Sequence, residues 1–391
     1  MAMFSKIPKN VLVLGIVSFF NDLASEMIYP IVPIFLTSVL GAPVAVVGLI
    51  EGIAEGTSSL AKFAFGYISD KVGKRKIFVV SGYSFAAVSK LLIAIATTWY
   101  FVLFARFIDR LGKGLRTSAR DSILLQNANS DNKGFIFGFH RAMDSLGAVI
   151  GPLVGLGLLS LFKENMRLTF FFAFIPAAIS VFLLILFVTE KKRADEQKKQ
   201  YEFHFKWKGM KPQFLFFFAV SMLFAVGNSS DAFLILRAKD LGLTTTLTVL
   251  TYVLYNIVQT LVSTPAGQLA DKIGARRVFA YGLLIFSVVY FLFGVIKNPF
   301  WIWFIFPVYG LYIAFTDGVS KAYISRFITE KESGTYFGLY QAGTAIATFL
   351  ASFIGGLLWS SIHPSATFFY GSFMALLAFL LLAYGKMVKK L

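Results

Sequence analysis

Gly66-Tyr67-Ile68-Ser69-Asp70-Lys71-Val72-Gly73-Lys74-Arg75-Lys76 joins two apolar runs, Val44 to Phe65 and Ile77 to Thr97. Each run is close to the ~20 residues a helix needs to cross hydrocarbon. Between them the chain turns tightly and becomes cationic. Gly73 permits a reversal that a residue with a Cβ resists. Lys71, Lys74, Arg75 and Lys76 assign the loop to the cytoplasm, because basic loops are retained on that side. Asp70 stands alone among them, suited to a neighbouring helix N-terminus or an arginine.

The pattern occurs twice. Gly267-Gln268-Leu269-Ala270-Asp271-Lys272-Ile273-Gly274-Ala275-Arg276-Arg277 repeats the glycines, the carboxylate and the basic tail at one offset (271 − 70 = 201). An offset of half the chain marks an internal duplication. Two copies of G-x-x-x-D-K-x-G-x-R-[RK], each between spanning helices, make the chain resemble the major facilitator superfamily of secondary transporters. The resemblance implies an all-α membrane fold of about twelve helices in two pseudo-symmetric six-helix bundles. It also implies a substrate site near the midplane and alternating access. The two loops become a cytoplasmic gate formed by Gly66, Asp70, Gly73, Arg75, Gly267, Asp271, Gly274 and Arg276, with the two aspartates as anchors.

Composition agrees. The 391 residues are 57% hydrophobic and only 15% charged, against about a quarter charged in soluble domains. The net charge of +17 sits in short loops and not on one soluble face, so it reports topology and excludes nucleic acid as a partner. With no cysteine there is no disulfide, thiolate ligand or thiol nucleophile. No cleavable signal is evident, and the first apolar run reads as a transmembrane helix. No Walker loop, nucleotide-binding domain or G-x-S-x-G elbow is found. The chain is therefore expected to be no enzyme, to need no cofactor, and to draw on an ion or substrate gradient.

Twelve spans are expected: Asn10 to Leu40, Val44 to Phe65, Ile77 to Thr97, Trp99 to Leu125, Gly134 to Leu161, Leu168 to Phe187, Phe214 to Ile235, Leu247 to Pro265, Val278 to Ile296, Trp301 to Ile324, Gly334 to Trp359 and Ala366 to Tyr384. This predicts an N-terminal bundle (1–189), a basic linker (190–213) and a C-terminal bundle (214–391). Inner loops and both ends are rich in lysine and arginine, which places both termini in the cytoplasm of a cell (inner) membrane protein. Gly134 and Gly138 recur as Gly334 and Gly338, and the i, i+4 pair Asp109/Lys113 recurs as Asp317/Lys321.

Charges inside spans are the informative outliers, each costing roughly 2.5–3.5 kcal/mol at the bilayer centre. Span one carries Asp22 and Glu26 on one face, and span two Glu51 and Glu55. Span three carries Lys90. Span four carries Arg106, Asp109, Arg110 and Lys113, with Arg116 and Arg120 nearer the cytoplasm. Span five carries His140, Arg141 and Asp144. In the second half the embedded charges are Asp231, Asp317 and Lys321. Two readings stay open. The charges line a wet cavity where crowded acids hold protons that an approaching cation releases, or they pair across helices and hold the bundle together. His140 is likewise either a proton relay or a helix-packing residue. No cluster has metal-ligand spacing.

Arg106 stands where the superfamily resemblance implies a buried arginine, although Arg110 replaces a glycine that the family pattern has shortly after it. Gly147, Gly151, Pro152 and Gly155 on span five resemble the drug/proton antiporter branch. Small residues four apart let backbones approach, and the proline removes one helical hydrogen bond. A bent, smooth helix of this kind is expected at the interface between the halves. Asn21, Tyr29, Asn228, Asp231, Tyr252, Asn256, Gln259, Asp317, Lys321, Tyr336, Tyr340 and Gln341 are candidates for the substrate pocket. The leading expectation is a monomeric, proton-coupled exporter of small organic compounds whose partners are membrane lipids, protons and that substrate. The alternatives are transport of an anionic metabolite (Arg106, Arg110, Lys113, Arg141), transport of a lipid or lysolipid, and a non-transporting receptor.

Overall fold

The computed structural model describes residues 7–72, 74–127, 133–190, 210–327 and 333–385, and every regular element among them is helical. Span one runs from Lys9 to Ile28 and continues, past Pro30, as Val32–Ile34, which contains Pro33, and a π-helical turn Phe35–Val39. Proline lacks the N–H that a regular helix would use, which accounts for the interruption. Spans two to six are Val44–Val72, Arg75–Ile95, Trp99–Gln126, Lys133–Leu161 and Met166–Phe187. Span seven is two helices, Pro212–Gly227 and Ala232–Asp240. Spans eight to twelve are Thr245–Ile273, Ala275–Val295, Ile302–Ser325, Ser333–Ser361 and Pro364–Tyr384.

Eleven helical stretches among the described residues are long and apolar enough to cross a membrane. The twelfth expected span, Trp99–Gln126, is a 28-residue helix whose many charges set it apart. The molecule is an integral membrane protein. Several helix starts are fixed locally. The side chains of Asn165, Thr244 and His363 accept hydrogen bonds from Leu168 N, Leu247 N and Ser365 N, satisfying one otherwise orphaned amide each.

The chain forms two compact units, Met1–Gly41 with Thr57–Gln200 and Ala42–Gly56 with Tyr201–Leu391. Span two is thus shared out, its first part belonging to the second unit. The segment 190–213, expected as a linker, lies mostly outside the described residues. In the first unit span one packs on five and six, and span three on four and six. In the second, span seven packs on eleven and twelve, and span nine on ten and twelve, with eight also on ten. The same four pairings recur, as the duplicated sequence requires.

Close backbone approach builds these contacts. Gly82 and Gly112 face each other where spans three and four cross: a Cβ on either would lie 2.5 Å from the other's carbonyl oxygen. Between spans nine and twelve, Ser287 Oγ donates to Ser372 O at 2.9 Å and Ser372 Oγ donates to Ser287 O at 2.7 Å. Small hydroxyl residues satisfied in this way suit helices packed in hydrocarbon.

The stretches expected as loops are helical as far as Val72 and Ile273, and the basic residues beyond them act on neighbouring helix ends. Gly274 has φ 98°, the region that favours glycine, so it makes the reversal that its repeat pattern suggested. Beyond it, Arg276 Nη2 donates to Leu382 O at 2.5 Å and Gly385 O at 3.1 Å, at the C-terminal end of span twelve. Lys76 Nζ donates to Ile185 O at 2.9 Å, the corresponding end of span six, and the Glu190 carboxylate accepts from Arg75 N. Cations on terminal carbonyls satisfy orphan acceptors and oppose the helix dipole. Arg276→Ala should therefore cost about 1.5–3 kcal/mol, read as a lowered Tm in detergent. Asp271 is exposed and belongs to no ion pair among the described residues. Gly73 and the Asp70 side chain lie outside the described residues.

Candidate functional sites

In the first unit the charges of span four recur at three- and four-residue intervals and so share a face. Lys90 Nζ donates to Asp109 Oδ1 at 2.9 Å, with the lysine side chain 1% exposed. Ser25 Oγ lies 3.1 Å from the same ammonium, and Ser89 Oγ 3.3 Å from the same carboxylate oxygen. One buried ion pair therefore ties spans one, three and four. Arg110 Nε stands 3.9 Å from Asp109 Oδ2. Arg106 lies over the Tyr29 ring at 5.7 Å and Arg116 over the Tyr83 ring at 4.6 Å.

A second network joins spans one, four and five. Ser18 Oγ donates to Asp144 Oδ1 and accepts from Arg120 Nη1 at 3.4 Å. His140 Nδ1 is 3.5 Å from Asp144 Oδ2. Arg120 also holds Asp121 at 3.0 Å, a carboxylate absent from the sequence-based candidates. Asn21 Nδ2 donates to Asp22 Oδ1 at 3.1 Å, and Asp144, Arg116 and Lys113 are the charges around Asp22. Asn21 Oδ1, His140 Nε2 and Arg116 Nη1 are buried and have no hydrogen-bond partner among the described residues. Arg141, expected with this group, is on the exposed side of the helix.

The glycine face of span five explains how Asp22 and Glu26 are placed. A Cβ at Gly147 would lie 2.7 Å from Phe19 O, one at Gly151 2.7 Å from Leu23 O, and one at Gly155 would strike Met27 O. The three glycines thus seat span five on the backbone of span one, at matching four-residue steps. The Asp22 and Glu26 Cβ atoms border this seam at Gly147 and Gly151. The sequence reading placed the smooth face between halves; the face is instead buried within the first unit. The helix continues unbroken through Pro152.

In the second unit the site is built around a gap. Span seven stops at Gly227 and restarts at Ala232, with Asn228, Ser229, Ser230 and Asp231 between. Side chains from other spans hold the gap. Asn228 Nδ2 donates to Tyr312 Oη at 2.9 Å, Tyr290 Oη to Ser229 O at 3.3 Å, and Ser230 N to Ser352 Oγ at 3.1 Å. Asp231 receives Tyr309 Oη on Oδ1 at 2.6 Å and Tyr255 Oη on Oδ2 at 2.8 Å. Gly48 and Gly52 seat the first part of span two on Ser352 and Phe349 of span eleven. This brings Glu51 and Glu55 into the field of Asp231, and Ser230 Oγ donates to Glu51 Oε2 at 3.4 Å.

The remaining candidates scatter. Asn256 donates to Tyr252 O at 3.2 Å within its own helix. Tyr340 stacks on Phe217, Tyr336 packs on Phe214, and Gln341 is exposed. Asp317 and Lys321 pair at 3.5 Å with both side chains more than half exposed (54% and 56%). Sequence reasoning missed the tyrosines 290, 309 and 312, whose aromatic character is lost among 45 Phe and 16 Tyr. It also missed the gap, whose one signal is Asn-Ser-Ser, residues that compete with helical hydrogen bonding.

A family model described as Major Facilitator Superfamily matches residues 14–255 and 214–390. The chain belongs to the Major Facilitator Superfamily. An MFS-type transporter of Methanocaldococcus jannaschii is 35% identical over 389 residues, covering 97% of this chain and 95% of that protein. The multidrug resistance protein MdtH of Photorhabdus laumondii is 28% identical over 133 residues, 34% of this chain and 33% of that one. Among solved structures, the nucleoside transporter NupG superposes with TM-score 0.80 at 14% identity, covering 95% of this chain and 98% of that one. A POT family transporter in complex with 5-aminolevulinic acid gives 0.81 at 13%, covering 98% and 97%. At such identities the likeness concerns the fold. This member of the superfamily is a membrane transporter of small molecules and not an enzyme.

Proposed function

We propose that the transporter is a proton-coupled exporter of small organic compounds, working by alternating access as a monomer in the cell membrane with both termini cytoplasmic. The observation that carries this reading is the Asp22–Asp144–His140 network in the first unit. Two carboxylates and an imidazole share one electrostatic field there, and Asn21 Oδ1 and His140 Nε2 remain buried with no partner among the described residues. Buried polar atoms of this kind are places for a water or a transferred proton. The glycine-proline face beside Asp22 and the partial match to a multidrug resistance protein favour export of organic compounds.

In proteoliposomes with an imposed pH gradient, substrate entry should be accompanied by proton exit. Asp22→Asn should lower gradient-driven flux at least ~100-fold, the scale on which proton-transfer groups act, while substrate exchange at equal pH persists. Equal loss of both would count against a coupling role for Asp22. A second reading, transport of an anionic metabolite, is favoured by Arg106, Arg110 and Lys113 sharing one face of span four. Proton movement with organic anions alone would select it.

A further inference from the structure

We infer that Asp231, set in the gap of span seven, is the binding site for the ammonium group of an organic amine. This inference deepens the export reading by assigning a substrate class and its counter-charge. The gap runs from the C-terminal end of the helix Pro212–Gly227, the negative end of its dipole, to Asp231, which stands at the N-terminus of Ala232–Asp240. Carriers interrupt a spanning helix where backbone must face a bound solute or ion. Two further carboxylates, Glu51 and Glu55, act on Asp231. Asp231 itself takes part in no ion pair among the described residues; its partners are two phenols. A charge embedded in a spanning segment without a protein cation is costly, and such a group marks a functional site.

The geometry selects the kind of cation. A carboxylate has about four lone-pair positions. Tyr309 fills one on Oδ1 and Tyr255 one on Oδ2. Each oxygen retains a second position, and an ammonium offers N–H donors to fill both. Asp231 is half-buried, whereas Tyr255, Tyr290, Tyr309 and Tyr312 around it are buried, so the carboxylate is backed by aromatic rings. Tyr255 and Tyr309 meet edge to face with centroids 5.6 Å apart, which fixes the two hydroxyls that aim the carboxylate. The protein contributes charge and orientation, and the amine supplies the missing counter-charge. Among the described residues no group of three or more acidic, cysteine or histidine side chains is arranged to hold a metal ion. The site therefore suits an organic cation rather than a divalent metal.

The test is binding to the purified full-length carrier in detergent, without any gradient. Tryptamine, phenethylamine and 1-aminooctane are compared with the alcohols that replace their ammonium. Amines at millimolar concentration should raise Tm and the alcohols should not. Asp231→Asn should weaken amine binding at least ~30-fold, Asp231→Glu should retain most of it, and Tyr309→Phe should weaken it several-fold. The proposal is overturned if no amine binds, if alcohols bind as well as amines, or if Asp231→Asn binds like wild type. Should Asp231→Asn not fold, unchanged amine affinity in Tyr309→Phe overturns it equally. Amine binding without proton-coupled flux would refute the coupling and leave the site standing; coupled flux of another solute without amine binding would do the reverse.

Discussion

Lys90→Ala is expected to destabilise the carrier by ~3–5 kcal/mol, the cost of leaving one member of a buried ion pair alone. Domains of this kind hold only ~5–15 kcal/mol in reserve, so folded yield should fall sharply along with Tm. The reason is geometric. The Lys90 side chain is 1% exposed, and its ammonium reaches Asp109 and Ser25 at once. Without it Asp109 keeps Ser89 at 3.3 Å and the more distant Arg110, neither of which restores the contact across spans one, three and four. Asp109→Asn should act with the same sign by leaving the lysine charged and buried. The double variant Lys90→Met/Asp109→Leu should recover most of the loss, because an apolar pair removes both desolvation costs. Thermal denaturation in detergent decides: a single variant that melts with the wild type would show that the pair carries no stability.

Gly151→Val should have an effect of similar size by another route. Its Cβ would begin 2.7 Å from Leu23 O and 2.8 Å from the Glu26 Cβ. A helical carbonyl cannot rotate away, so spans one and five must part. Overpacking of this kind costs ~1–3 kcal/mol and occasionally more. The shift also moves Asp22 and Glu26, which border the seam, so flux should fall by more than the loss of folded protein. Gly157→Ala on the same helix is the control, since nothing lies within 4 Å of the added carbon and alanine is the better helix former by ~1 kcal/mol. If Gly151→Val transports normally per folded molecule, the seam does not set the position of the carboxylates.

Much of the architecture was legible in the residues themselves. Long apolar runs must satisfy their own backbone as helices in lipid, so the spans follow from local composition, although spans two and eight run on as helix to Val72 and Ile273, past the ends that composition suggests. The paired glycine-aspartate-basic loops, 201 residues apart (271 − 70 = 201), exposed the duplication, and repeated packing of spans within each unit is its consequence. The i, i+4 pairing of Asp317 with Lys321 was likewise readable, because helix geometry alone brings those positions together.

What could not be read was which partner each face takes. The glycine stripe of span five announced close packing but not that span one would fill it. Arg276 looked like part of a loop and caps the end of span twelve through the carbonyl of Leu382, 106 residues later in the chain. Asp231 was one embedded acid among several until spans eight and ten laid Tyr255 and Tyr309 against its two oxygens. The sequence by itself determined the spans and the twofold plan, since these depend on short-range composition and on the absence of water from the bilayer. Only the tertiary structure decided which embedded charges are neutralised and which stay open. Charge pairing depends on a few ångströms between residues far apart in the chain, and close packing of helix faces sets those distances.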